Sequence, residues 1–384
     1  MKKILYLIPS VVNSGGMERV LAQKANYLAS IDGISVTIMT TEMNDSQKTF
    51  FSFSPKIKFV HLNLNFELVS KKKIINWIFE YKIRLKKYNK LLSQFIINEN
   101  IDYCISLGGK ELEFFYKMNI PCKKLFECHF NIHQRSDFIK SHFGNSLFWK
   151  LIGFYRDKKM LIQTRGLDNV IVLTEQALND WKKTHNNIVQ IPNPLSFETS
   201  KLADTINKNR IIAIGRLEHQ KGYDLLIQAW ALINKKYPEW HIDIYGSGSL
   251  ATELSTIIKN QKIDNIKFQG ITNDVKTELL NSAFIVLSSR FEGLPMILLE
   301  SISCGLPIVS FDCETGPSEI IKNDDCGFLV QNGNIELFSK KMEKLILNPM
   351  IREKMGRIGK EKSTKYSLEK IMSLWLALFH VNNN

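Results

Sequence analysis

The chain holds six cysteines, at positions 104, 122, 128, 304, 313 and 326, yet no Cys-x-x-Cys pair. That absence removes the usual spacing of a zinc ribbon or a dithiol redox centre. The thiols mostly stand in apolar contexts and read as reduced and buried, as in a cytoplasmic protein, with no disulfide frame. No apolar run approaches the ~20 residues that cross a bilayer. The opening Met1-Lys2-Lys3-Ile4 leads straight into a strand pattern and lacks the plan of a signal peptide. Internal repeats are missing, and low complexity is confined to Asn382-Asn383-Asn384. Solenoids, spanning proteins and disulfide scaffolds therefore drop out.

What is present is a soluble composition, 44% apolar and 23% charged. The 384 residues allow two cores, because single cores stop growing at about 250–300 residues. Charge is lopsided. Residues 1–195 hold 28 Lys and Arg against 16 Asp and Glu, and the remainder 23 against 22. A basic first half points to an anionic partner.

In that half, apolar runs at 3–8, 36–41, 101–107 and 170–173 read as buried parallel strands. The first leads through Asn13-Ser14-Gly15-Gly16-Met17-Glu18-Arg19 into a helix, and Gly15-Gly16 lets the backbone approach a ligand closely. Residues 71–92 place Ile75, Ile78, Phe79, Ile83 and Leu85 at helical spacing with a basic opposite face. Two readings stand: a solvated helix packed on its domain, or an amphipathic helix on an anionic membrane surface. The aromatic stretch 143–155 is a second candidate contact, or a core helix. Nucleic acid fits poorly, since no stacking or base-reading module accompanies the lysines. Gly108-Gly109-Lys110 lacks the upstream glycine of a P-loop. Ile191-Pro192-Asn193-Pro194 reads as a rigid, non-helical connector.

The second half opens a new series of strands, at 210–214, 241–245, 266–270 and 284–288. Gly215-Arg216-Leu217 and Lys221-Gly222 follow the first of them. The fork of Arg216 suits a diphosphate bidentately and Lys221 adds a point charge. A departing diphosphate needs such charge. Gly246-Ser247-Gly248-Ser249-Leu250-Ala251 fits the dinucleotide fingerprint literally. That fingerprint normally opens the first βα unit with an acid about 20 residues on. Here it follows the second strand and Asp264 lies in a polar turn, so a dehydrogenase is the outlier.

The most informative stretch is 287–312, LSSRFEGLPMILLESISCGLPIVSFD. Pro295 suits a first helical turn and Gly305 a helix stop. The N–H groups of Gly293 and Leu294 would then cradle phosphate at a helix N-terminus, with Glu292 at its mouth. Glu300, about two turns into the helix, can accept hydrogen bonds from a hydroxyl pair.

This Glu-x7-Glu across a Gly-Leu-Pro helix start resembles the donor site of the retaining GT-B glycosyltransferases of family 4. So do Gly-Arg-Leu-x-x-x-Lys-Gly at 215–222 and Gly-Gly-x-Glu-Arg at 15–19. The resemblance spans nearly the whole chain and is most specific from Gly215 to Glu319. It implies an α/β fold of two Rossmann-like domains facing a cleft, residues 1–195 for the acceptor and 196–364 for the nucleotide sugar. A helix within 365–384 would cross back to the first domain.

By the same resemblance Arg216 and Lys221 would stabilise the leaving diphosphate, with the amides of Gly293 and Leu294 at the Pro295 helix start. Glu292 would hold donor sugar hydroxyls and Glu300 the ribose. Gly215, Gly246, Gly248 and Gly270 would border the nucleotide, and the Gly15-Gly16 turn would close over the donor phosphates. Glu127-Cys128-His129 resembles the Glu-x-His segment whose histidine lines the reacting face; Glu18, Glu127 and Asn131 fall on the acceptor side.

The implied reaction moves a hexose or N-acetylhexosamine, with retention, from a UDP-sugar such as UDP-Gal, UDP-GalNAc or UDP-Glc. The implied acceptor is a growing or lipid-linked bacterial surface polysaccharide at the cytoplasmic membrane face. No Asp-x-Asp motif stands in a plausible place and two cations already serve the diphosphate, so no metal and no cofactor are expected. Leu294-Pro295 stands where Phe-Gly is frequent in the family, which leaves the sugar open. Two rivals share the fold: a sugar-nucleotide epimerase, and a non-catalytic nucleotide-sugar-binding protein.

Overall fold

The computed structural model describes residues 1–69, 74–133, 135–136, 139 and 146–381. Contacts divide the chain into a first unit, 1–191 with 372–384, and a second, 192–371. The sequence pattern places the boundaries at 195/196 and 364/365.

Seven parallel strands build the first unit: β1 (Lys2–Ile8), β2 (Ile34–Thr40), β3 (Lys58–His61), β4 (Tyr103–Ser106), β5 (Lys123–Cys128), β6 (Asn169–Val172) and β7 (Ile188–Gln190). Their order is β3-β2-β1-β4-β5-β6-β7. Helices cover both faces of such a sheet, which is why its inner strands are near-continuous apolar runs. Ile4 to Ile8 of β1 are all buried, and Leu7 pairs with Ser106 across to β4. The core gathers Leu5, Tyr88, Phe115, Val170 and Trp181. Residues from Met372 onward belong to this unit: the Phe379 ring lies 4.9 Å from that of Tyr103, and Trp375 is 1% exposed.

The second unit holds β8 (Arg210–Ile214), β9 (His241–Tyr245), β10 (Ile266–Gly270), β11 (Phe284–Leu287), β12 (Ile308–Asp312) and β13 (Gly327–Gln331). Their order is β10-β9-β8-β11-β12-β13, again parallel. Trp230, Phe284, Phe311 and Phe338 fill its core. Both sheets reverse strand order beside their first strand, β1/β4 and β8/β11. Open α/β sheets bind ligands at such a switch point, outside the carboxyl ends of the strands. The α/β expectation of two Rossmann-like domains is met.

Two stretches are the candidate membrane contacts. Residues 71–73 of the first and 143–145 of the second lie outside the described residues, as does the Asn382–Asn384 tail. The helix Ile74–Glu99 turns Tyr88, Leu92 and Ile96 into the core and leaves Ile78, Phe79 and Ile83 exposed. The helix Leu147–Arg165 exposes Leu147, Phe148, Leu151, Phe154 and Tyr155, which puts those side chains outside the core. Among the described residues no helix is long and apolar enough to cross a membrane.

Candidate active site

In the second unit the loops after β8 and β11 are stitched into one surface. Arg290 grips both carboxylate oxygens of Asp224, at 2.9 and 2.7 Å, and donates to the His219 carbonyl. Burial would raise the Asp224 pKa, but the Arg290 fork holds it below its ordinary value. Gln220 donates to the Phe291 carbonyl, the Arg290 N–H to the Gln220 carbonyl, and the Ser288 hydroxyl to the Lys221 carbonyl. Gly222 makes this approach possible. Its φ is +62°, and a Cβ there would fall 2.1 Å from the Ser288 carbonyl oxygen.

Lys221 and Glu292 meet on that surface. The ammonium donates to Glu292 Oε1 at 2.7 Å, and the buried Ser289 hydroxyl donates to the same oxygen at 2.6 Å. The pair is mostly but not wholly enclosed, 17% and 8% exposed. Behind it, burial and then the Glu292 charge push the Tyr223 and Cys313 pKa values up, so both stay neutral. The Glu292 carbonyl accepts from Thr315 Oγ1 at 2.6 Å, and Thr315, a β-branched residue, sits at φ +62°. A side chain of that type in the left-handed region is strained, and such strain gathers at functional sites.

Arg216 differs from its neighbours. It is exposed and, among the described residues, pairs with no carboxylate. The N–H groups of Gly293 and Leu294, just ahead of the helix Met296–Ser303, likewise find no acceptor among the described residues. One unbalanced guanidinium and two open amides therefore lie on sequence segments joined through the Lys221–Glu292 pair. This is anion-binding chemistry.

The remaining donor-side residues sit as follows. Pro295 precedes that helix in extended conformation. Glu300 is 2% exposed inside it and accepts from Ser196 Oγ at 2.5 Å. The literal fingerprint has a packing reason: Gly246, at φ +144°, would place a Cβ 1.9 Å from the Gly215 carbonyl oxygen. Gly246 N–H donates to the Gly270 carbonyl, and Gly248 packs on Leu217. These glycines let the loops after β8 and β9 cross.

The first unit has its own cavity of about 480 Å³, bordered by Pro9 after β1, Thr41 after β2, Leu107 to Lys110 after β4, and Glu127 and His129 at the end of β5. Arg135 and Arg156 complete the wall with Glu42 and Glu113. The cavity occupies the switch point of its sheet. His129 Nε2 lies 3.2 Å from Glu127 Oε1. Glu127 is 1% exposed and takes the Lys24 ammonium on both oxygens at 2.5 Å. Burial would raise its pKa; the Lys24 ammonium on its oxygens, with the His129 ring close by, outweighs that and holds it at about 2. Asn131 is buried beside this segment. Gly15 caps the helix Gly16–Ser30, with Glu18 in its first turn.

Sequence reasoning missed Lys24, Ser289, Asp224 and Thr315. One signal was there: Lys24 falls four residues from Val20 and from Leu28, on the apolar face of its helix. All six cysteines are free thiols, five of them buried. Among the described residues no group of three or more His, Cys, Asp or Glu side chains could hold a metal ion.

Residues 197–362 match the family of glycosyl transferases group 1. An uncharacterized glycosyltransferase of Haemophilus influenzae is 31% identical over 98% of this chain and 99% of its own length. A second relative is 24% identical over 98% of each chain. It is the Campylobacter jejuni alpha-1,4-N-acetyl-D-galactosaminyltransferase that acts on a GalNAc-bearing diNAcBac-PP-undecaprenol. Among solved structures, TarM of S. aureus superposes with a TM-score of 0.81 at 20% identity, covering 99% of both chains, which places the fold among GT-B proteins. Together with the stitched anion site, these likenesses carry one conclusion: the chain belongs to the group 1 glycosyl transferases and is a glycosyltransferase enzyme.

Proposed function

We propose that this glycosyltransferase is a retaining member of family 4 that transfers a hexose or N-acetylhexosamine from a UDP-sugar to a lipid-linked or growing saccharide of a bacterial surface polysaccharide. The observation that carries the reading is an exposed Arg216, without a carboxylate partner among the described residues, on the segment that also supplies Lys221 to the Lys221–Glu292 pair. Within that pair the charges cancel, so the charge of a departing diphosphate falls first on Arg216, with the open amides of Gly293 and Leu294 beside it. In the reaction the bond from the anomeric carbon to the diphosphate oxygen breaks, a bond to an acceptor hydroxyl oxygen forms on the same face, and the hydroxyl proton passes to the departing diphosphate. Glu292 holds donor hydroxyls, His129 lines the acceptor cavity of the first unit, and Glu300 faces the ribose once Ser196 gives way. No metal is assigned, because cations of the chain serve the diphosphate.

The acceptor reading draws on the Campylobacter relative, whose named substrate is linked to undecaprenol through a diphosphate. Exposed apolar side chains on the helix Leu147–Arg165, within the basic part of the chain, support a peripheral seat on an anionic membrane face.

The test is a thermal-shift panel of UDP-, GDP- and ADP-sugars and NAD on wild type and Arg216→Ala. A ligand of the native state raises its apparent stability by mass action. Stabilisation by a UDP-sugar, undiminished by EDTA and lost in the variant, is expected. Stabilisation by NAD alone, or an equal response in both proteins, overturns the placement of the diphosphate.

A further inference from the structure

The first unit buries a lysine and a glutamate against the wall of its cavity. Lys24 is 1% exposed on the inner face of its helix, and its Nζ lies 2.5 Å from both oxygens of Glu127. The Trp375 ring covers that ammonium at 4.3 Å and the Tyr6 ring lies 5.6 Å away. On the cavity side Glu127 Oε1 approaches His129 Nε2 to 3.2 Å. The contact is not aligned into a hydrogen bond, and this buried nitrogen has no other partner among the described residues.

A bare carboxylate at that distance would draw a proton onto the imidazole. Here Lys24 occupies both oxygens first. We propose that Lys24 and Trp375 are positioning residues: they fix Glu127 and cancel its charge, so that His129 keeps Nε2 available to substrate and is not locked into an ion pair. The proposal rests on reading His129 as a residue of the acceptor cavity. Other charged and titratable groups face this corner. Tyr6 from β1 stands behind Glu127, its buried hydroxyl without a partner among the described residues. Across the cavity, Glu42 and Glu67 come from the segments after β2, Lys110 and Glu113 from those after β4, and Arg135 and Arg156 from beyond β5. None of these lies within ion-pair distance of His129, whereas Glu127 does.

The experiment is an NMR titration of the His129 ring, assigned with His129→Asn, in wild type, Lys24→Met, Lys24→Arg and Trp375→Leu. Lys24→Met should raise the midpoint by about one pH unit or more, a roughly tenfold change in proton affinity. Trp375→Leu should raise it less, and Lys24→Arg should restore the wild-type value. In sugar-transfer assays the acidic limb of kcat/KM should move up with it. Should Lys24→Met not fold, Lys24→Met combined with Glu127→Gln removes both charges and is expected to titrate as wild type does. An unchanged midpoint in folded Lys24→Met, or a displaced one in the double variant, overturns the proposal. A midpoint that moves as expected while wild type shows no transfer sustains the positioning and overturns the functional reading.

Discussion

Two lysine–glutamate pairs, one in each unit, stand at the carboxyl ends of the sheets with nearly the same separation. Lys24–Glu127 is sealed, both side chains 1% exposed and the ammonium under a tryptophan. Lys221–Glu292 is ajar, with 17% of the lysine open and a serine hydroxyl sharing its carboxylate. A sealed pair has no other partner to take, so it fixes geometry and local charge. An open pair can trade a partner for a ligand. Enclosure, more than distance, separates a structural pair from a working one.

Acid should break the comparison hardest. Glu127 titrates at about 2 when folded against an ordinary 4.5, so its folded value is depressed. Its stabilisation is complete above the unfolded value and is lost as pH falls from about 4.5 toward about 2, a loss on the order of 3 kcal/mol. Urea unfolding at several acidic pH values checks this. The variant combining Lys24→Met with Glu127→Gln should show a flatter dependence, and an identical slope would rule the pair out as its source.

The open pair is expected to respond through binding. Glu292→Gln releases Lys221 to the diphosphate, so the Kd for UDP should fall about tenfold, near 1.4 kcal/mol, while sugar transfer declines. Calorimetry with UDP decides the matter; weaker binding in the variant would show that Glu292 does not compete for the lysine. The smallest effect should come from the surface of the first unit. Leu151→Ser with Phe154→Ser should alter stability by less than about 0.5 kcal/mol and yet reduce retention on anionic vesicles. Vesicle retention equal to wild type would remove the membrane from the proposal.

Much of the scaffold could be read in advance because apolar runs and turn residues are local signals. Arg210–Ile214, His241–Tyr245 and Ile266–Gly270 form strands over the very spans their runs indicate. The short edge strands β3 and β7 went unnoticed: their residues are mostly half-buried, so no continuous apolar run marks them. The glycines and cations of the second unit could be listed from sequence, but not how they engage. The Arg290–Asp224 fork joins residues 66 apart and Lys24–Glu127 residues 103 apart, separations that periodicity does not span. Glu300 shows the converse, since its position in the helix was legible while its burial against Ser196 depends on a remote segment.

Trp375 has a consequence for how the chain is made. It belongs to the first unit but follows the whole of the second in sequence. Ribosomes add about 5–20 residues per second and domains fold as they emerge, so residues 192–371 take roughly ten to forty seconds to synthesise. For that interval Lys24 has no tryptophan over it. The nascent first unit therefore waits for its lid until the segment that carries Trp375 has followed the second unit out.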